Sequence, residues 1–198
     1  MNNLRFLETI RAENGVISHL EYHQRRMEMT LRANNCHLHY DLTTLLSPPQ
    51  QGLYRCRLLY DEGGTDISYI PYKTRTFTSL QAIEENSIDY RYKYADRHRL
   101  DALFAKRKES DDVLIIKNGL ITDTTIANIA LFDGEQWLTP AEPLLYGTTR
   151  QRLIDEGKLL ERAIPIEALS HYSKVAVMNA MIGFIEVENG IIFPKEEG

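Results

Sequence analysis

Two dipeptides, Asn118-Gly119 and Asp133-Gly134, restrict this chain more than any other feature of its sequence. Each separates short runs rich in aliphatic residues. Val113 to Lys117 leads into the first turn and Leu120 onward leaves it; Asn128 to Phe132 and Gln136 to Thr139 flank the second. Asn-Gly and Asp-Gly readily take the positive-φ conformations of tight hairpin turns, whose twist matches that of paired antiparallel strands. The middle of the chain is therefore expected to be a series of hairpins. A doubly wound parallel sheet needs strands alternating regularly with helices, and this pattern argues against it.

The flanking segments extend the same picture. Leu4 to Ala12 reads as a strand ending at Glu13-Asn14-Gly15, Val16 to Leu20 restarts after that turn, and Glu21 to Asn34 reads as a helix. Asp41 to Leu46 is a short helix closed by Pro48-Pro49, which cannot continue one. Leu53 to Tyr60 (LYRCRLLY) is a strand ended by Asp61-Glu62-Gly63-Gly64, with Ile67 to Pro71 pairing back on it. Lys73 to Ser87 shows little periodicity and is expected to connect two domains, of residues 1–76 and 77–198, with the linker at about 72–86. Ile88 to Lys93 alternates as a strand, Asp96 to Ser110 carries helical spacing, and Thr149 to Glu156 is a helix ended by Gly157. Val175 to Asn179, Phe184 to Val187 and Ile191 to Phe193 are late strands. The fold class is α+β, in two domains.

Charge and composition narrow the function. The chain has 198 residues and a net charge of −5, which gives no reason to expect nucleic acid as a partner. The basic run from Arg91 to Lys108 is balanced by Asp89, Asp96, Asp101 and Glu109. No stretch approaches the roughly 20 apolar residues of a membrane span, and Met1 to Gly15 lacks the apolar core of a signal peptide, so a cytoplasmic protein is expected. Cys36 and Cys56 match no metal spacing and read as buried or half-buried free thiols. Cys36-His37-Leu38-His39 has no second pair of ligands elsewhere, so no metal is expected.

Three sites in the stretch from Arg91 to Arg150 carry chemistry. Lys93 stands between Tyr92 and Tyr94. Such a lysine either packs its stem and charge against the rings or serves as an amine whose partial burial frees its lone pair. Asp123 lies in Ile121-Thr122-Asp123-Thr124-Thr125, where it is an Asx-turn acid or a functional carboxylate. Gly147-Thr148-Thr149 opens a helix and is an ordinary N-cap or a phosphate cradle. An amine, an acid and a phosphate cradle are together the parts a pyridoxal 5′-phosphate enzyme requires.

The order and wording of these segments resemble the fold-type IV, or class IV aminotransferase, family, which includes branched-chain and D-amino-acid aminotransferases and 4-amino-4-deoxychorismate lyase. The segment Ala95-Asp96-Arg97-His98 resembles the one that follows the family's cofactor-bearing lysine, which implies that role for Lys93. Thr122-Asp123 followed by Asn128 resembles the family's Thr-Glu and Asn, implying that Asp123 faces the pyridine nitrogen, with Asn128 beside the cofactor. This chain has Asp where most relatives have Glu, a side chain shorter by one methylene. Tyr146-Gly147-Thr148-Thr149-Arg150 resembles the Gly-Ile-Thr-Arg phosphate loop, and His23-Gln24-Arg25-Arg26 resembles a His-x-x-Arg motif whose arginine, here Arg26, reaches the same phosphate.

Val177-Met178-Asn179-Ala180-Met181 occupies the place of the aminotransferases' Gly-Thr-Ala, so Ala180 replaces a phosphate-binding threonine, and that contact is either lost or made through backbone N–H. Its wording is closer to the Asn-Ala-Leu-Met of aminodeoxychorismate lyases. Leu7-Glu8-Thr9 resembles a Phe-Glu-Thr segment, making Thr9 and Asn179 candidates for the substrate side. Arg57, on the LYRCRLLY strand, either faces a substrate carboxylate or lines a sheet edge. The chain is shorter than typical members. The resemblance implies a small N-terminal α+β domain, a larger strand-rich barrel-like one, the cofactor between them, and a homodimer acting on a small amino-acid-like molecule. It implies a lyase releasing pyruvate and 4-aminobenzoate, an amino-acid aminotransferase, or a non-catalytic descendant that binds the cofactor, with the lyase favoured.

Overall fold

The computed structural model describes residues 4–193. The chain divides into two compact units, Met1–Thr74 with Tyr92–Asp96 and Arg75–Arg91 with Arg97–Gly198. No helix among the described residues is long and apolar enough to cross a membrane.

The first unit is a four-stranded antiparallel sheet with a helix on one face. Its elements are β1 (Phe6–Glu13), β2 (Val16–Ile17), α1 (Leu20–Ala33), α2 (Leu42–Leu45), β3 (Leu53–Asp61) and β4 (Gly64–Pro71), with the strands in the order β2-β1-β3-β4. Alternation along the strands sends Phe6 and Ile10 of β1 and Cys56, Leu58 and Tyr60 of β3 to one face, where they pack against Met27 and Leu31 of α1. The buried stripe of α1 is His23, Arg26, Met27, Thr30 and Leu31. Three of those five positions are polar, which is why the helix shows weak apolar periodicity despite its regular spacing. Both cysteines are buried free thiols in this core.

Ile88 to Lys93, expected as a strand, is not one. Lys93 has φ of 52°, in the left-handed region that a side chain beyond Cβ rarely occupies. Its carbonyl accepts from Leu7 N at 2.9 Å, Ala95 N donates to Arg5 O at 2.8 Å, and Tyr94 pairs with Phe6 in a single bridge. Alternating tyrosines imitate a strand pattern, but Tyr92 and Tyr94 pack beside Phe6 and each other instead, with ring centroids 5.9 Å (Phe6–Tyr94) and 6.1 Å (Tyr92–Tyr94) apart. These contacts explain why Tyr92–Asp96 belongs to the first unit.

The second unit contains β5 (Leu80–Glu84), α3 (His98–Phe104), β6 (Asp112–Lys117), β7 (Leu120–Thr124), β8 (Asn128–Phe132), β9 (Trp137–Pro140), α4 (Thr148–Asp155), β10 (Leu160–Arg162), a 3-10 helix at Ile166–His171, β11 (Lys174–Asn179), β12 (Gly183–Glu186) and β13 (Ile191–Ile192). The strand order is β10-β9-β8-β7-β6-β5-β13, with β11 pairing β8 and β12. The first hairpin turn forms as expected, with Asn118 and Gly119 at φ of 51° and 74°; the second is a four-residue connection between Phe132 and Trp137, in which Gly134 has φ of 105°. Leu80–Glu84 corrects the expectation of an unstructured connection through residue 87. It is an inner strand, parallel to both β6 and β13. Leu80, Gln81 and Ala82 are all buried, so no in–out alternation marks it, and the buried Gln81 disguises it further. The helix expected over 96–110 stops at Phe104, and Lys108, at φ of 54°, lies beyond its end. One face of α4 packs Leu153 onto Ala130 of β8 and Ala176 and Met178 of β11.

Candidate active site

The second unit holds a buried acid in a closed set of hydrogen bonds. Asp123, near the end of β7, stands opposite Asn128 at the start of β8 and is 3% exposed. Asn128 Nδ2 donates to Asp123 Oδ1 at 2.8 Å and to Leu145 O at 2.8 Å, while Leu145 N donates to Asp123 Oδ2 at 2.9 Å. Burial pushes the Asp123 carboxyl up to about 7, against those hydrogen bonds and the charge of Arg150. A carboxyl titrating near neutrality suits a partner with which it shares a proton.

The turn carrying this acid is clamped from several sides. Thr124 N donates to Ala127 O at 2.8 Å and Thr125 Oγ1 to Asp112 Oδ1 at 2.7 Å. Arg97 Nη2 reaches Thr125 O at 3.0 Å, and Asn179 Nδ2 reaches Ile126 O at 3.1 Å. Asn179 Oδ1 accepts from Met181 N at 2.9 Å and Ile182 N at 3.1 Å, so both ends of its amide hold backbone. Ala180 is half-buried in the turn after β11.

Gly147 is the N-cap of α4, and no side chain caps that helix start. A Cβ built on Gly147 would lie 1.8 Å from Asn128 Oδ1, so any other residue displaces the amide that holds Asp123. The buried Thr148 and Thr149 begin the helix, whose first N–H groups form an anion-binding end. Arg150 is fully buried and turned to Pro140 O at 2.7 Å and Glu161 Oε1 at 2.6 Å. A Cβ-free approach, an uncapped helix start and a buried near-neutral acid fit an aromatic nitrogen base that carries a phosphate.

Lys93 and Arg26 lie in the first unit with two charged or titratable residues to which sequence reasoning gave no role, Glu8 and His23. Glu8 is fully buried and accepts from Arg26 Nε at 2.8 Å, from Arg26 Nη2 at 2.5 Å and from His23 Nδ1 at 2.6 Å. Burial raises the Glu8 carboxyl, but the charge of Arg26 and the bonds from His23 and Arg26 outweigh it and bring it down to about 2. Burial holds His23 below its ordinary value, against Glu8 and helped by the charges of Arg26 and Lys93. His23 is thus neutral and its Nδ1–H donates. The signal for Glu8 was present in the sequence: it sits between Phe6 and Ile10 on the core-facing side of β1, where an acid needs a buried cation. Thr9 and Arg57 are cross-strand neighbours, both half-buried.

Comparison with known proteins identifies the family. A family model described as amino-transferase class IV matches residues 5–189. An uncharacterized protein of Haemophilus influenzae is 38% identical over 182 residues, which span 89% of this chain and 97% of that protein. The crystal structure of a protein from Haemophilus somnus 129pt, provisionally named a 4-amino-4-deoxychorismate lyase, superimposes with a TM-score of 0.84 at 32% identity over 92% of this chain and 99% of its own. A hypothetical aminotransferase from Mycobacterium tuberculosis, solved in a PLP-bound form, shares the fold with a TM-score of 0.78 at 17% identity, over 96% of this chain and 82% of its own.

Proposed function

This chain belongs to the class IV aminotransferase family, and we propose that it is a pyridoxal-phosphate enzyme that eliminates pyruvate from 4-amino-4-deoxychorismate to leave 4-aminobenzoate. The observation that carries the enzyme assignment is the buried Asp123 carboxyl, poised at about 7 and held by Asn128 next to Gly147. When bound, the cofactor supplies an electron sink for the carbon bearing the substrate nitrogen.

The chain's own residues do the rest. Lys93 would hold the cofactor, and its amine would take the proton from the amine-bearing ring carbon. The electron pair of that C–H bond becomes a ring double bond as the neighbouring C–O bond breaks. The departing enolpyruvate takes up a proton and becomes pyruvate, so atoms and charge balance without an oxidant. Asp123 would keep a proton on the cofactor's ring nitrogen. The N–H groups at Thr148 and Thr149 would hold its phosphate, a role the family resemblance also gives Arg26, and Gly147 would let the backbone approach it. Ala180 offers only backbone there. Thr9, Asn179 and Arg57 are the substrate-side residues.

Lyase chemistry is favoured over transamination because Asn179-Ala180-Met181 stands where aminotransferases carry a hydroxyl, and because the Haemophilus somnus relative bears a lyase name. We further propose a homodimer, acting in the cytoplasm.

The test is an assay with no added keto acid. Purified protein loaded with pyridoxal phosphate should release pyruvate from 4-amino-4-deoxychorismate, and Lys93→Ala should lose both this activity and the borohydride-reducible link to the cofactor. Rapid bleaching of the near-visible band by one amino acid, with recovery on adding 2-oxoglutarate and no pyruvate from aminodeoxychorismate, would establish an aminotransferase instead.

A further inference from the structure

The face of the first unit's sheet that turns away from α1 carries Thr9 and Arg11 of β1, Arg55 and Arg57 of β3, and Ser68 of β4. The register sets Thr9 and Ser68 on either side of Arg57, and Arg11 directly opposite Arg55. All five are half-buried. Like charges facing each other across an antiparallel pair are destabilising, and a partly desolvated guanidinium without a counter-charge adds to that cost.

The protein offers these groups little compensation. Among the described residues, neither Arg55 nor Arg57 makes a side-chain hydrogen bond or ion pair, and Arg55 Nε is buried without a partner. The acids on this face lie toward its margins. Glu13 is bonded to Arg11 at 2.9 Å, and the exposed Asp66 stands opposite Leu59. The arginines are also in register with the lysine segment. Leu7, on the same face of β1, donates its N–H to Lys93 O. At about 3.4 Å per residue, the Thr9–Arg57 rung lies ~7 Å along from Leu7 and the Arg11–Arg55 rung another ~7 Å beyond.

We propose that this face recognises a substrate bearing two carboxylates, one taken by Arg57 with Thr9 and Ser68 and the other by Arg55 with Arg11. This rests on the enzyme assignment above and narrows its substrate class. An amine carrying two carboxylates, as 4-amino-4-deoxychorismate does, neutralises both rungs. The side chain of an apolar amino acid would leave Arg55 and Arg57 unpaired, so aliphatic amino acids are poor substrates. Guanidinium forks suit this task because they bind carboxylates bidentately and stay charged at any working pH.

Isothermal titration of the cofactor-loaded protein with isophthalate and with benzoate, two ring acids differing by one carboxylate, tests the idea. Isophthalate should bind roughly ten- to hundredfold more tightly than benzoate. Arg55→Met and Arg57→Met should each remove most of that preference, and Arg57→Lys should restore part of it. Both methionine variants should melt at or above the wild-type temperature, because no hydrogen bond or ion pair within the protein is lost. Equal binding of the two acids by the wild type overturns the proposal. So does a preference that survives both replacements, or a sharp fall in melting temperature in both, which would make the arginines structural. A preparation that takes up no cofactor overturns the enzyme assignment instead, and the same titration of the cofactor-free protein then decides the face.

Discussion

At the scale of single residues, the two buried acids have been driven in opposite directions by what surrounds them. Glu8 meets a guanidinium and an imidazole and is held near 2; Asp123 meets an amide and a backbone N–H and is pushed up to about 7. The neutral donors bonded to Asp123, with the charge of Arg150 beyond them, do not repay its desolvation, whereas a guanidinium bonded directly to Glu8 does. Asp123 therefore holds a proton in the folded, cofactor-free protein over a pH range where the unfolded chain has already released it. A raised folded value gives stability that is complete below the unfolded value near 4 and is lost as pH rises through about 7. Relative to Asp123→Asn, the cofactor-free wild type should lose a few kcal/mol between about pH 4 and pH 8. Urea unfolding of both proteins across that range measures the difference in slope. Parallel pH profiles would mean that Asp123 titrates normally and is not the proton-sharing acid.

At the scale of elements, the β7–β8 turn and the start of α4 are joined through one amide. Asn128 ties Asp123 to the backbone before α4, and Gly147 closes over it too tightly for any Cβ. Gly147→Ala must push Asn128 aside and break both of its hydrogen bonds. The expected cost is about 1–3 kcal/mol of stability, the usual range for overpacking, together with cofactor affinity weakened roughly tenfold or more. A thermal melt and a cofactor titration followed in the near-visible band would read these effects separately. Unchanged affinity would remove this helix start from the phosphate site. A local glycine signal was legible in the sequence, but its physical reason was not. Gly147 has an ordinary φ of −70°, so backbone freedom does not require glycine there; the neighbouring side chain does.

At the scale of the whole molecule, the proposed homodimer predicts a mass in solution of roughly twice 22.9 kDa by light scattering, and a melting temperature that rises with protein concentration. A monomer at every concentration would overturn it. What the sequence by itself determined was whatever is written in short stretches. Asn118-Gly119 dictated a two-residue hairpin turn, and Asp133-Gly134 began the four-residue connection between Phe132 and Trp137, because such turn preferences belong to a few neighbouring residues. The helix through Arg26 was readable only from loose helical spacing, and Lys93, Asp123 and Gly147 could be named from local wording. Only the tertiary structure decided that Leu80–Glu84 is an inner strand, since its partners lie 32 positions ahead in β6 (Leu80 with Asp112) and 111 positions ahead in β13 (Leu80 with Ile191). It alone bent Lys93 into the left-handed region, by bonding its segment to Arg5 and Leu7. It alone joined Glu8, His23 and Arg26 into one buried ion cluster and set Arg55 and Arg57, neither with a side-chain partner among the described residues, on the opposite face of the same sheet. Turn preference is local and survives in any short peptide, whereas burial and charge pairing are sums over neighbours that are distant along the chain until it folds.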